Sequence, residues 1–226
     1  MLGLTALVLT AIIILSALRR RLLFEISGTS LLLFRSQKPG LWIYAFIMLP
    51  GTILHELSHW IVAEILQVRT GEIKILPDND HAEEHRLGSV ATEKVGALRG
   101  ILIGSAPFVT GLLVLVGLGY VLDLSWPYAP YWQILALAYG MMVVGSSMFL
   151  SPADLRHWPV LAMVVTLMFL VMYYTGTGNY LNVLTRPLIH LYKVLWMTVG
   201  ISFVMILLLY LARCGLERVM HKKVIR

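Results

Sequence analysis

Residues 55–59 read H-E-L-S-H, two histidines four positions apart with a glutamate directly after the first. On a helix that spacing is about one turn, so both imidazoles leave the same face and can share one metal ion. Glu56 stands close enough to take a proton from water held at such a metal. A catalytic zinc wants three protein ligands and a water, so His55 and His59 need one more group. Asp154 is the expected third ligand. Apart from Asp123, which sits at a helix end beside Ser125, Trp126 and Pro127, it is the one carboxylate in the later apolar part of the chain. Pro152 can break a helix there and turn the carboxylate inward, because irregular backbone is tolerated where it lines a cavity. The other reading of Asp154 is a cap on the following helix or a partner for Arg156.

Competing metal patterns are weaker. A third histidine six positions beyond His59 would suggest a different zinc arrangement, but that position is Ile65. Glu64 falls on another face of the helix and is a poor ligand. His81, Glu84 and His85 match an inverted H-x-x-E-H pattern, yet they lie in a polar segment beside Pro77, Asp78, Asn79 and Asp80 and read as a solvated loop. His157 is a candidate to support a ligand from behind, and His190 and His221 read as interface residues. The single cysteine, Cys214, excludes both an intramolecular disulfide and a cysteine-based zinc site.

The element that carries the motif is apolar. Its sequence, L-P-G-T-I-L-H-E-L-S-H-W-I-V-A-E-I-L, belongs to a stretch at 41–66 long enough to span a bilayer. His55 follows Leu41 by fourteen residues, a rise of roughly 21 Å, which puts it well inside the hydrocarbon. A lone charged residue at such a depth costs on the order of 3 kcal/mol, so residues of this kind usually serve a function.

The whole chain agrees with that setting. Of 226 residues, 58% are hydrophobic and 13% charged, and the mean hydropathy is +0.80. Soluble domains carry about twice that charge, so lipid is the expected solvent. The length suits one domain of several spanning helices, residues 1–226, with a core at about 41–160 and a polar β-rich loop at 67–97. Further candidate spans are 98–122, 131–150, 158–175 and 187–212. The stretch 2–18 adds a retained anchor, because it lacks a basic leader and a small-residue cleavage site and three arginines follow it. Residues 22–34 are apolar but short, and Glu25, Ser27 and Gly28 interrupt them, which suggests an interfacial or re-entrant piece. The fold class predicted is thus an all-α polytopic membrane protein. It has about six transmembrane helices, with a small β element between the second and third spans. That element is expected from alternating residues at 71–76, a second run at 87–92, and turn residues between them.

A net charge of +6 concentrates in Arg19, Arg20, Arg21 and in the tail at 213–226. Such clusters meet anionic headgroups and help to set topology, and without a groove-reading fold no nucleic-acid partner is expected. Both clusters ask for the cytoplasmic side, whereas six spans place the loop at 19–40 opposite the tail. Either one signal is overridden or residues 22–34 alter the count.

The ordered features over residues 41 to about 160 resemble the site-2 protease family of intramembrane zinc metalloproteases. H-E-L-S-H in an apolar helix comes first, then the β-rich polar segment, then I-L-I-G-S-A-P-F-V-T-G opening the next helix, and last S-S-M-F-L-S-P-A-D-L. Asp154 matches the aspartate that supplies the family's third zinc ligand. The chain departs from the pattern at Leu155, where the family has glycine, and at Ser146 or Ser147, where it has asparagine. The resemblance implies a divergent, minimal member with no PDZ or CBS domain. It also implies zinc on His55, His59 and Asp154, Glu56 as the catalytic base, and hydrolysis of a transmembrane protein or peptide substrate. The β segment would lie near the site and pair with unwound substrate as an added strand. The location implied is an integral, multi-pass position in the cell membrane. Two other readings stay open: a metal-binding or ion-pathway membrane protein without proteolysis, and a pseudoprotease that binds membrane helices.

Overall fold

A computed structural model of the chain describes residues 2–74, 89–92, 96–149 and 185–221. These residues form α1 (Leu2–Phe34), α2 (Lys38–Ile65), β1 (Thr70–Lys74), β2 (Ser89–Thr92), α3 (Ala97–Ser125), α4 (Tyr131–Ser147) and α5 (Thr185–Met220). Three stretches are long and apolar enough to cross a membrane: Lys38–Ile65, Ala97–Ser125 and Arg186–Met220. Large apolar side chains such as Phe46, Leu113 and Leu208 stand exposed on them, a surface suited to lipid and not to water. The chain is a helical membrane protein.

Of the six expected spans, three (41–66, 98–122 and 187–212) occur among the described residues as helices long and apolar enough to cross. α1 runs unbroken through Arg19, Arg20, Arg21 and Glu25. The stretches 2–18 and 22–34 are therefore one helix, not an anchor followed by an interfacial or re-entrant piece. α4 holds 17 residues, short of the ~20 that span a bilayer. The stretch 158–175 lies outside the described residues.

Of the charges inside α1, Arg21 and the buried Glu25 are paired. Arg21 Nη2 lies 2.7 Å from Glu25 Oε1, and Arg213 Nε on α5 donates to Glu25 Oε2 at 2.6 Å. Arg213 also pairs with Glu217 one turn on. Both guanidiniums lie over the rings of Phe24 and Tyr210, at 5.1 and 5.8 Å for Arg21 and at 5.5 Å from each ring for Arg213. Glu25 is completely buried. These contacts place the cluster at 19–21 beside the start of the basic tail, not opposite it. The two charge signals therefore agree once α1 is a single helix.

α1 turns back into α2 through Arg35, whose φ of 54° is left-handed. Ser30 Oγ closes this corner, accepting from the Gly40 N–H at 2.8 Å and donating to Ser36 O at 2.9 Å. A Cβ on Gly40 would meet Ser30 Cβ at 2.7 Å, so the corner needs glycine. The other end of α2 closes in a Schellman turn. Gln67 adopts φ 54°, its N–H donates to Glu64 O at 3.0 Å, and the Val68 N–H donates to Ala63 O at 2.9 Å. Val68 and Ala63 then pack with Ile103 of α3, which ties the motif helix to its neighbour.

β1 and β2 pair antiparallel, with Thr70 opposite Thr92, Ile73 opposite Val90, Lys74 opposite Ser89 and an irregularity after Thr70. The small β element lies between α2 and α3, and its described residues overlap the two runs expected from the sequence. Two apolar clusters hold the helices together. One gathers Leu15 of α1, Leu115 of α3, Met141 of α4, Met148 just after it and Leu195 of α5. The other gathers Leu22, Tyr44, Met48, Val143 and Ile206.

Removing one member of a buried ion pair strands the other. Glu25→Ala is expected to cost about 3 kcal/mol, measured as unfolding in mixed micelles titrated with SDS. Glu25→Leu combined with Arg213→Met should cost less than Glu25→Ala alone.

Candidate metal centre

His55, Glu56 and His59 all belong to α2, whose 28 residues begin at Lys38. His55 comes roughly 25 Å along that helix, at about 1.5 Å per residue. One turn earlier, Gly51 is where α2 meets α4. A Cβ there would lie 2.6 Å from Ser147 Oγ and 2.7 Å from Val143 Cγ1, so only glycine permits this approach. Tyr139 Oη donates to Ile47 O at 2.7 Å and ties the same two helices beside Pro50.

That approach delivers the end of α4 to His55. Ser147 is the last residue of α4, and the final carbonyls of a helix have no donor within it. His55 Nδ1 lies 2.7 Å from Ser147 O. His59 Nδ1 lies 2.8 Å from Ile103 O, a carbonyl of α3. A carbonyl can only accept, so both Nδ1 atoms carry the proton and donate. In a neutral imidazole the lone pair then sits on Nε2.

The two rings stand edge to face, with centroids 4.9 Å apart and planes at 83°. Glu56 and His59 are buried, 5% and 7% exposed, and His55 is half-buried. The neighbouring hydroxyls turn back onto their own helix: Ser58 Oγ donates to Leu54 O at 2.5 Å, and Thr52 Oγ1 to Met48 O at 3.2 Å. Glu64 is exposed and accepts from Thr70 Oγ1 at 3.5 Å, facing away from the pair. Asp154, His81, His85 and His157 lie outside the described residues. Among the described residues no group of three His, Cys, Asp or Glu side chains is placed to hold a metal ion.

Two neutral imidazoles with Nδ1 bonded to backbone carbonyls are a donor set that zinc accepts through Nε2. The carbonyl behind each ring fixes its tautomer and direction. Those two carbonyls are the part of the site that side-chain reasoning misses. Ser147 stands out in the sequence only as a replacement for asparagine, and its hydroxyl donates within α4 to Val144 O. Ile103 carries no polar side chain at all.

No protein-family model, curated protein or solved structure matches the chain.

The glycine contact gives a direct test of this packing. Gly51→Ala is expected to destabilise the protein by about 1–3 kcal/mol through overpacking against Val143 and Ser147. Gly117→Ala, whose Cβ meets nothing within 4 Å, should be neutral or mildly stabilising. Thermal unfolding of the two variants in the same detergent compares them.

Proposed function

We propose that the chain is a multi-pass, site-2 protease-like zinc metalloprotease of the cell membrane that hydrolyses peptide bonds of transmembrane substrates. The observation that supports this best is the pair His55 and His59, each held through Nδ1 by a carbonyl of a different helix, with Glu56 buried beside them. His55 and His59 would hold the metal through Nε2, with Asp154 as the third ligand. Zinc, when bound, supplies a Lewis acid that acidifies water and polarises a carbonyl.

The chain's own residues do the rest. The Glu56 carboxylate takes a proton from the attacking water, whose oxygen bonds to the peptide carbonyl carbon. The same carboxyl then returns the proton to the departing amide nitrogen as the C–N bond breaks. Ser147 O and Ile103 O keep both imidazoles from turning during this cycle. Burial of Glu56 and His59 excludes bulk water and strengthens each of these polar contacts. A general base between the two histidines favours hydrolysis over a metal or ion pathway, which needs no base there. The β1–β2 element follows α2 after Gln67 and offers strand edges to an unwound substrate.

The test is cleavage of single-span substrates by purified protein in detergent, with zinc content measured on the same samples. Glu56→Gln should lower turnover by about 10²–10⁴-fold while zinc is retained. Asp154→Ala should lose zinc. Cleavage by Glu56→Gln at the wild-type rate, or a wild type that holds no zinc, overturns the reading; zinc retained by Asp154→Ala removes Asp154 as a ligand.

A further inference from the structure

Ile103 precedes Pro107 by four residues inside α3. In an unbroken α-helix the carbonyl of one residue accepts from the N–H four positions on. Proline has no N–H, and its ring crowds that carbonyl. The helix therefore supplies no 107 donor to Ile103 O, although both residues are buried. A buried carbonyl left without a donor is costly, and His59 Nδ1 donates to this one at 2.8 Å.

We propose that Pro107 is a positioning residue for His59: by withholding its N–H it leaves Ile103 O to the imidazole and so fixes which ring nitrogen carries the lone pair. The ligand role of Nε2 rests on the zinc reading above, whereas the tautomer follows from the hydrogen bond alone. The arrangement parallels that at His55, where the end of α4 leaves Ser147 O without a helical donor. In both places a helix interruption supplies the acceptor. With an ordinary residue at 107, a backbone N–H competes for Ile103 O. His59 then shares that carbonyl as a second donor, its hydrogen bond is weakened, and its ring exchanges tautomers more readily.

The experiment uses the full chain in detergent micelles with ¹⁵N-labelled histidine, His59 being assigned by comparison with His59→Gln. Ring nitrogen shifts of the metal-free protein, at a pH where imidazoles are neutral, report the tautomer. Zinc affinity is read separately by competition with a chelator. Wild type should show the Nδ1–H form of His59. Pro107→Ala should show a mixture of forms and bind zinc about 10–100-fold more weakly.

A second variant separates the missing donor from the ring's shape: the α-hydroxy analogue of alanine at position 107 has neither an N–H nor a ring. It should restore both the tautomer and the zinc affinity. The proposal is overturned if Pro107→Ala keeps one tautomer and wild-type affinity, or if the hydroxy analogue behaves like Pro107→Ala. Should Pro107→Ala not fold, the hydroxy analogue against wild type decides alone: a retained Nδ1–H form supports the proposal, and a lost one overturns it. A wild type that binds no zinc would end the metal reading of the site, yet the tautomer comparison would still decide the role of Pro107.

Discussion

A hydrogen bond at one ring nitrogen fixes the direction of an imidazole, and in α2 that bond is accepted by backbone carbonyls of two neighbouring helices. His55 leans on the end of α4 and His59 on the second turn of α3. Much of the packing around them serves those two contacts. Gly51 lets α4 come near enough to offer Ser147 O. The Schellman turn after Ile65 folds Val68 back onto Ala63 and Ile103, which fixes α3 against the same helix. Both contacts sit in an apolar bundle, where an unsatisfied carbonyl and an undirected imidazole would each be costly. Joining them removes two problems with one hydrogen bond at each place.

The buried ion network answers a different constraint, that of holding the first and last helices together without a polar solvent. Glu25, Arg21, Arg213 and Glu217 form an array of two positive and two negative charges. Phe24 and Tyr210 supply ring faces to the guanidiniums. Pairing of this kind is weak as a source of net stability, but it is demanding about register: Arg213 must stand level with Glu25. Apolar contacts such as Leu22 with Ile206 could slide by a turn at modest cost, whereas the charges cannot. The network therefore selects one alignment of α5 on α1, and that alignment sets Arg213, where the basic tail begins, beside Arg21.

Much of the candidate site's chemistry is legible in the amino-acid sequence, because H-E-L-S-H uses side chains whose spacing has a direct geometric meaning on a helix. The position of the β element is legible too, from alternation and turn residues. The span count is less legible. Hydropathy treats Arg19, Arg20, Arg21 and Glu25 as the end of an apolar segment, whereas the helix continues through them and Glu25 meets its partner Arg213 from 188 residues away. Ser147 and Ile103 are hidden for another reason: they act through main-chain oxygens, which every residue possesses.

That last property has a practical consequence for anyone mapping the protein by mutation. A carbonyl cannot be deleted by changing the side chain that hangs beside it. An alanine scan across α3 and α4 would leave the Ser147 and Ile103 oxygens in place and score both positions by their packing alone. The supporting layer of the site would pass through such a survey unseen, and the sensitive positions would instead be residues with no polar group to lose. Glycine and proline, commonly set aside as scaffolding, are here the side-chain identities through which the backbone's hydrogen bonds can be edited.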